Sequence, residues 1–486
     1  MTVAGEGIGE TLRAWRTIGA VSRLISIWRA WSLGQRAALI AGVVAVAAGI
    51  GVAAYLHFKR PGDISNPAVT FVKHHKQPKK VAKTVNWPVY GYDEQRTRYL
   101  PADNVKPPFH ELWHFGSKQL LEFSPILVGH RLYYIDKSAD FYAVSANTGK
   151  RVWKTDLGTL NASSPAYSDG RLFGVSLDPG QVFAINPKQG KVIWKRALPG
   201  RSETSPVVDG KEVVVGSESG DVYGLSTKTG SIDWSVHTAG PVKGGVAIDK
   251  GTAFFGNYAG QFYAVDIKTG NVKWQAQSEG LSFGRAGSFY STPAVAFGRV
   301  YAGNKDSRVY SFSEDTGAVA WTHSTGGEIY PAPAVADVPG APPAVYIGSL
   351  DHHFYALDAK TGNVLWSVDT GGPILGAASV VGRTVYVSVI GPNIGTFGYD
   401  AKTGKKDFYD PLGEYNPVIS DGQRIYLTGG GAIKALVPRS GGKGSLNGAK
   451  KRARAKAAQQ KKKHHAHGGS GAKGKHKGSG SPAKHN

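Results

Sequence analysis

Glu122, Glu203, Glu414, Tyr290 and Tyr330 are the side chains of this 486-residue sequence whose type and spacing suit a binding site. Each stands three residues before the proline of a Ser/Thr-Pro pair, or its equivalent, that returns about every 40 residues. The full set at this position is Glu122, Ala162, Glu203, Val242, Tyr290, Tyr330, Ile374 and Glu414. Two carboxylates from adjoining units, Glu122 and Glu414, would suit a hard cation such as Ca²⁺, which takes oxygen ligands. Tyr290 and Tyr330 would stack on a planar ligand, and Lys243 and Arg285 lie near enough to offset carboxylate charge. The plainer alternative is a ring of ordinary solvated residues. Elsewhere the chemistry is sparse. With no cysteine there are no disulfides, thiolate metal sites or cysteine nucleophiles. No G-x-S-x-G, H-E-x-x-H or P-loop pattern occurs. His352 and His353 beside Asp351 lack a nameable third ligand and read as a turn variation. No catalytic residue and no metal site is expected.

Residues 40 positions apart converge only if the units that carry them close into a ring. The pattern T/Q-G, three residues, Trp recurs at Trp153, Trp194, Trp234, Trp274, Trp321 and Trp366, and degenerates to TGKKDF at Phe408. The intervals are 41, 40, 40, 47, 45 and 42 residues, and Trp113 in HELWHF stands 40 before Trp153. Each unit holds four strand-like pieces, for example VAID, TAFFG, GQFYAVD and NVKWQ, with alternating apolar and β-branched or aromatic residues. The D-x-x-T-G spacing suits a tight turn with positive φ at glycine. Four strands per repeat is the pattern of a β-propeller. Counting first strands, near Ser124-Pro125, Ser164-Pro165, Ser205-Pro206, Gly244-Gly245, Thr292-Pro293, Ala332-Pro333, Gly376-Ala377 and Asn416-Pro417, gives eight blades. The last blade lacks an outer strand and HELWHF is a spare one, so pairing them closes the ring. The recurring tryptophans are expected to pack between blades.

The net charge of +23 sits in the ends. Residues 1–83 hold 12 Lys/Arg against 3 acids, residues 439–486 hold 14 against none, and 84–438 hold 32 of each. A neutral core argues against specific nucleic-acid binding. Between Arg36 and Lys59 run 22 uncharged residues, Ala37 to Phe58, about 33 Å as a helix and enough to cross a hydrocarbon core of roughly 30 Å. They read as an uncleaved signal anchor. Residues 1–36, with Arg13, Arg16, Arg23 and Arg29 among Trp15, Trp28 and Trp31, read as a basic amphipathic cytoplasmic segment against anionic lipid. Residues 59–83 read as a tether. The Lys/Gly/His-rich tail, 439–486, reads as disordered and suited to a polyanion.

The repeat YAVDIKTGNVKW is similar to the PQQ-type quinoprotein propeller repeat, and WPVYGYDEQRTRYLPADNV at 87–105 resembles the lead-in of quinoprotein alcohol dehydrogenases. The resemblance spans about 84–438. It implies an all-β, eight-bladed propeller, with two functional expectations. The family includes PQQ- and Ca²⁺-dependent dehydrogenases of alcohols or sugars, and also cofactor-free scaffolds such as the lipoprotein of outer-membrane protein assembly. The vicinal disulfide of the dehydrogenases is impossible here, their Trp-Asp-Tyr-Asp-type segment has no match, and the blades are short and regular. The expectation is therefore a membrane-anchored, extracytoplasmic protein-binding or scaffold module without cofactor, its partner bound on the propeller rim. A dehydrogenase holding PQQ with Ca²⁺ at Glu122, Glu203, Tyr290, Tyr330 and Glu414 is the alternative.

Overall fold

Alternating apolar pieces joined by short turns fold into eight antiparallel sheets in the computed structural model, which describes residues 28, 30–58, 62–73, 85–117, 119–280 and 286–439. Seven blades run in sequence over 126–156, 166–197, 207–237, 247–277, 294–324, 334–369 and 379–410. The eighth takes three strands from 419–438 and its outermost from Phe109–Gly116. That closing strand pairs antiparallel with Ala432–Pro438, from Phe109 opposite Pro438 to Gly116 opposite Ala432. The ring is closed by hydrogen bonds between the two ends of the propeller, which leaves no open blade edge at the seam.

The core lies between blades rather than at one centre. One cluster, for instance, joins Val207, Val214 and Val222 of blade 3 to Ile248, Phe255 and Tyr263 of blade 4. The repeated tryptophan joins them most specifically. Each indole N–H donates to a carbonyl just past the third strand of the next blade: Trp153 to Pro187 at 3.0 Å, Trp194 to Thr227 at 3.1 Å, Trp274 to Glu314 at 2.9 Å, Trp366 to Ala401 at 3.1 Å. The glycine of that blade's T-G or Q-G turn lies flat on the same ring. A Cβ at Gly317 would stand 2.5 Å from Trp274 Cε3, and its φ of +71° already disfavours other residues. Trp113 of the closing strand makes the same contact with blade 1, through Ala146 and Gly149. Only the junction of blades 7 and 8 differs. There Phe408 meets Phe109 edge-on at 5.5 Å.

The segment 85–105 is threaded through the channel and touches every blade. Trp87 bridges Leu127 of blade 1, and Pro88 accepts from Tyr167 of blade 2. Glu94, Gln95, Thr97 and Arg98 accept in turn from Ile248, Val295, Val335 and Val380 of blades 4 to 7. Tyr99–Leu100 adds a parallel strand to blade 7, and Asn104 donates to Gly422 in blade 8. Blade 3 is reached by Arg96, whose fully buried guanidinium donates to the carbonyls of Ser205, Pro206, Val246 and Tyr90. Asp93 is the acid nearby: hydrogen-bonded to Thr97, its carboxyl is raised by burial against the pull of Thr97, Arg98 and Arg96.

The helix Leu33–Phe58 is long and apolar enough to cross a membrane, and its most apolar stretch, Leu33–Val52, is not buried against the propeller. Of the expected tether, residues 62–73 are described and are docked on blade 5. The expectations for 1–27 and for the tail from 440 lie outside the described residues.

Two substitutions test this architecture by chemical denaturation. Gly317→Ala should lower stability by about 2 kcal/mol or more, from the left-handed backbone and the clash with Trp274. Arg96→Met should cost more, about 3–5 kcal/mol, because it strands the carbonyls of Tyr90, Ser205, Pro206 and Val246 in the interior without a donor. A midpoint unchanged for Arg96→Met would mean that the threaded segment contributes nothing to holding the ring.

Candidate functional site

The residues just before the first strands form one mouth of the channel, and the threaded segment blocks the channel beneath them. The result is a blind cavity of about 550 Å³ with Tyr90 on its floor. Its wall carries Glu122, Glu203, Lys243, Tyr290, Tyr330 and Tyr415. Arg98 lies beneath the floor, its guanidinium 4.9 Å from the Tyr90 ring centre, held by the carbonyls of Arg96 and Pro333.

Glu122, Glu203, Tyr290 and Tyr330 are thus brought together, and Glu414 is not. Its carboxylate lies beside the Gly430 turn of blade 8, and Tyr415 takes the place on the wall. Val242 and Ile374 of the same expected ring are fully buried, packed over Gly216 and Gly348. The cause is a one-residue slip in register. In blades 1, 2, 3, 5 and 6 the proline immediately precedes the first strand. In blades 4, 7 and 8 the first strands begin at Ala247, Ser379 and Ile419, one residue later than the sequence markers place them. Counting back from these starts gives Lys243, Leu375 and Tyr415, all of which line the cavity. Counting from the first hairpin turn, such as Asp249-Lys250-Gly251-Thr252, would have found them, because that turn fixes strand register. Arg285, expected near the rim, lies outside the described residues.

Charge on the wall is already organised. Lys243 Nζ lies 2.6 Å from Glu203 and 2.8 Å from Glu218, and 5.6 Å from the Tyr258 ring centre. Burial opposes its charge, but the two carboxylates outweigh it and hold Lys243 above its ordinary value. Burial also pushes both acids up. In Glu203 it prevails over Lys243; in the more exposed Glu218, Lys243 and Arg201 prevail and the carboxyl sits below its usual range. Burial raises Glu122, with Lys137 pulling back from a distance. Tyr290, 5.6 Å from Tyr330 and 6.2 Å from Tyr258, is pushed far up by burial and then by Glu203, Tyr258 and Glu122. It is a neutral hydrogen-bonding phenol at any ordinary pH.

This donor set does not match PQQ with Ca²⁺. A calcium ion takes about six to eight oxygen ligands. Of the three glutamates expected to serve, Glu203 is bound to Lys243 and Glu414 is turned away, which leaves Glu122. Among the described residues no three His, Asp or Glu side chains are grouped to hold a metal. Lys243, the wall's ammonium for an anionic cofactor, is spanned by two carboxylates. What the wall offers instead is aromatic surface with fixed polar groups, the makeup of a site that receives a side chain or small organic group.

Proteins similar to this chain include an assembly factor, a hydrolase and a dehydrogenase. The chain is 31% identical over 121 residues to the outer membrane protein assembly factor BamB of Burkholderia pseudomallei, covering 24% of this chain and 30% of that one. It is 30% identical over 95 residues to a tetrathionate hydrolase of Acidithiobacillus ferrooxidans, 19% of each. The matches thus span about a fifth to a third of these relatives. Among solved structures, a europium-containing methanol dehydrogenase superposes with a TM-score of 0.61 at 14% identity, over 74% of this chain and 98% of that one, a likeness of fold. The family model PQQ_2, described as outer membrane protein assembly factor BamB, matches residues 137–337 and 305–455, and together with the eight closed blades this shows that the chain belongs to that propeller family.

Proposed function

We propose that this propeller is a non-catalytic binding module, held at a membrane by the helix Leu33–Phe58 with the propeller on the extracytoplasmic side, that engages a protein partner at the mouth of its channel. The observation that carries the proposal is the ion-pair arrangement of Glu203, Lys243 and Glu218, which already occupies the charged groups that a metal and an anionic quinone would need. The aromatic wall of Tyr90, Phe123, Tyr290, Tyr330 and Tyr415 supports a protein ligand, since aromatic rings at low entropic cost dominate protein contacts. The BamB relative, by its name an assembly factor, is a precedent for such a role. The tail 439–486, with 14 Lys/Arg and no acid, would add weak, salt-sensitive attraction to a polyanion outside the cell.

A PQQ- and Ca²⁺-dependent dehydrogenase is the second reading, favoured by the dehydrogenase fold match. Titrating the detergent-solubilised full chain with PQQ and Ca²⁺, followed by thermal unfolding and cofactor absorbance, separates the two. We expect no saturable change. A bound cofactor at a hundredfold excess over its Kd would add about 2.7 kcal/mol of stability. A shift of that size, abolished by Glu122→Ala, would replace the scaffold assignment with the enzymatic one.

A further inference from the structure

The membrane-proximal segment is docked along the outer edge of blade 5 through one antiparallel bridge and flanking hydrogen bonds. Asp63 accepts from Ser324 Oγ at 2.7 Å, Ser324 N at 3.0 Å and Thr322 Oγ1 at 3.2 Å. Ser65 then stands opposite Trp321 on the outer strand of blade 5, flanked by Asn66 N to Ala320 O at 2.7 Å and Thr322 N to Ile64 O at 3.1 Å. Further on, Arg299 donates to the carbonyls of Val69 and Thr70 at 2.7 and 3.1 Å, and Phe71 packs 5.2 Å from Phe297. Trp321 is 1% exposed, whereas Trp153, Trp194, Trp274 and Trp366 are half-buried. A backbone bridge with its flanking hydrogen bonds, a capped carboxylate and a buried arginine fork make this a fixed joint, not a passing contact.

The joint lies close to the helix. Leu33–Phe58 has 26 residues, about 39 Å at 1.5 Å per residue, and exceeds a hydrocarbon core of roughly 30 Å. Phe58 therefore reaches the membrane surface when the helix spans. Asp63 follows five residues later, and five residues extend at most about 18 Å.

We infer that the rim of blade 5 is the face of the propeller that meets the lipid headgroup surface, so that the disc stands on edge and its channel mouth opens sideways, clear of the bilayer. This rests on the membrane-held part of the proposed function. Blade 1, four blades round the ring of eight, is then the edge farthest from the lipid.

The cysteine-free sequence makes the test direct. Ala318→Cys and Lys150→Cys place one donor dye at equivalent exposed turn positions of blades 5 and 1, in the full chain reconstituted into phosphatidylcholine/phosphatidylglycerol vesicles carrying acceptor-labelled headgroups. Energy transfer to lipid should be higher from Ala318→Cys than from Lys150→Cys. Asp63→Ala with Phe71→Ala, which alters the docked segment and leaves the blades intact, should shrink that difference. Inserting ten Gly/Ser residues between Gly62 and Asp63 should shrink it too, with docking and folding retained. Equal transfer from both sites in vesicle-bound wild-type protein would overturn the edge-on placement alone. Failure of the protein to float with vesicles would overturn the membrane anchor and this placement together.

Discussion

Everything at the channel mouth depends on the contact between one blade's indole and the next blade's turn glycine. A propeller blade has no hydrogen bonds to its neighbours along the strands, so its orientation is set by side-chain packing alone. Here each tryptophan adds a directional bond to that packing, and the glycine under it must lack a side chain and adopt positive φ. At Gly190, Gly230, Gly317, Gly362 and Gly404 a Cβ would intrude to between 2.5 and 2.8 Å of the ring. The constraint is local in sequence within each unit and repeated round the ring, which explains why the spacing of Trp and T-G is the most regular feature of the chain. At the junction of blades 7 and 8 the third strand of blade 8 is the end of the propeller and no T-G turn follows. Phe408 against Phe109 and Tyr386 fills that place with aromatic packing.

The second constraint is the threaded segment. An eight-bladed ring encloses more space than its first strands fill, and residues 85–105 use it, giving backbone partners to seven blades and a guanidinium to the remaining one, blade 3. Burying Arg96 and Arg98 is costly, and the return is a fan of carbonyl bonds that no apolar side chain could make. Arg96 ties blades 3 and 4 to the segment, while Arg98 ties it to blade 6 and lies under Tyr90. The pore becomes a blind pocket with a rigid aromatic floor, open on one side.

The fold was legible in the sequence because its determinants are periodic: blade number, the closure through HELWHF, and the packing role of the tryptophans all follow from spacing. The site was legible only where the spacing marker was sound. Ser124-Pro125, Ser205-Pro206, Thr292-Pro293 and Ala332-Pro333 placed Glu122, Glu203, Tyr290 and Tyr330 on the wall. Asn416-Pro417 misplaced Glu414, because that proline precedes the strand by one residue more and side chains alternate across a strand. The docked segment 62–73 carried no readable signal. Its pairing is with blade 5, some 250 residues away, and the contact mixes Asp63, Arg299 and the backbone with only Val69 and Phe71 of its apolar residues on the core, too short a pattern to read.

What separates a binding propeller from a catalytic one cannot be the fold, which both share. It has to be the charge state of the mouth. A site for a metal and an anionic quinone needs free carboxylates on one side and a free cation on the other. Lys243 cancels that separation by bridging Glu203 and Glu218, and the cancellation is structural: it joins the residue before the first strand of blade 4 to the mouth and second hairpin of blade 3. Glu122 remains as a half-buried carboxylate on a wall that also carries Tyr290 and Tyr330. Such a wall suits ring contact and a few hydrogen bonds more than the binding of an ion.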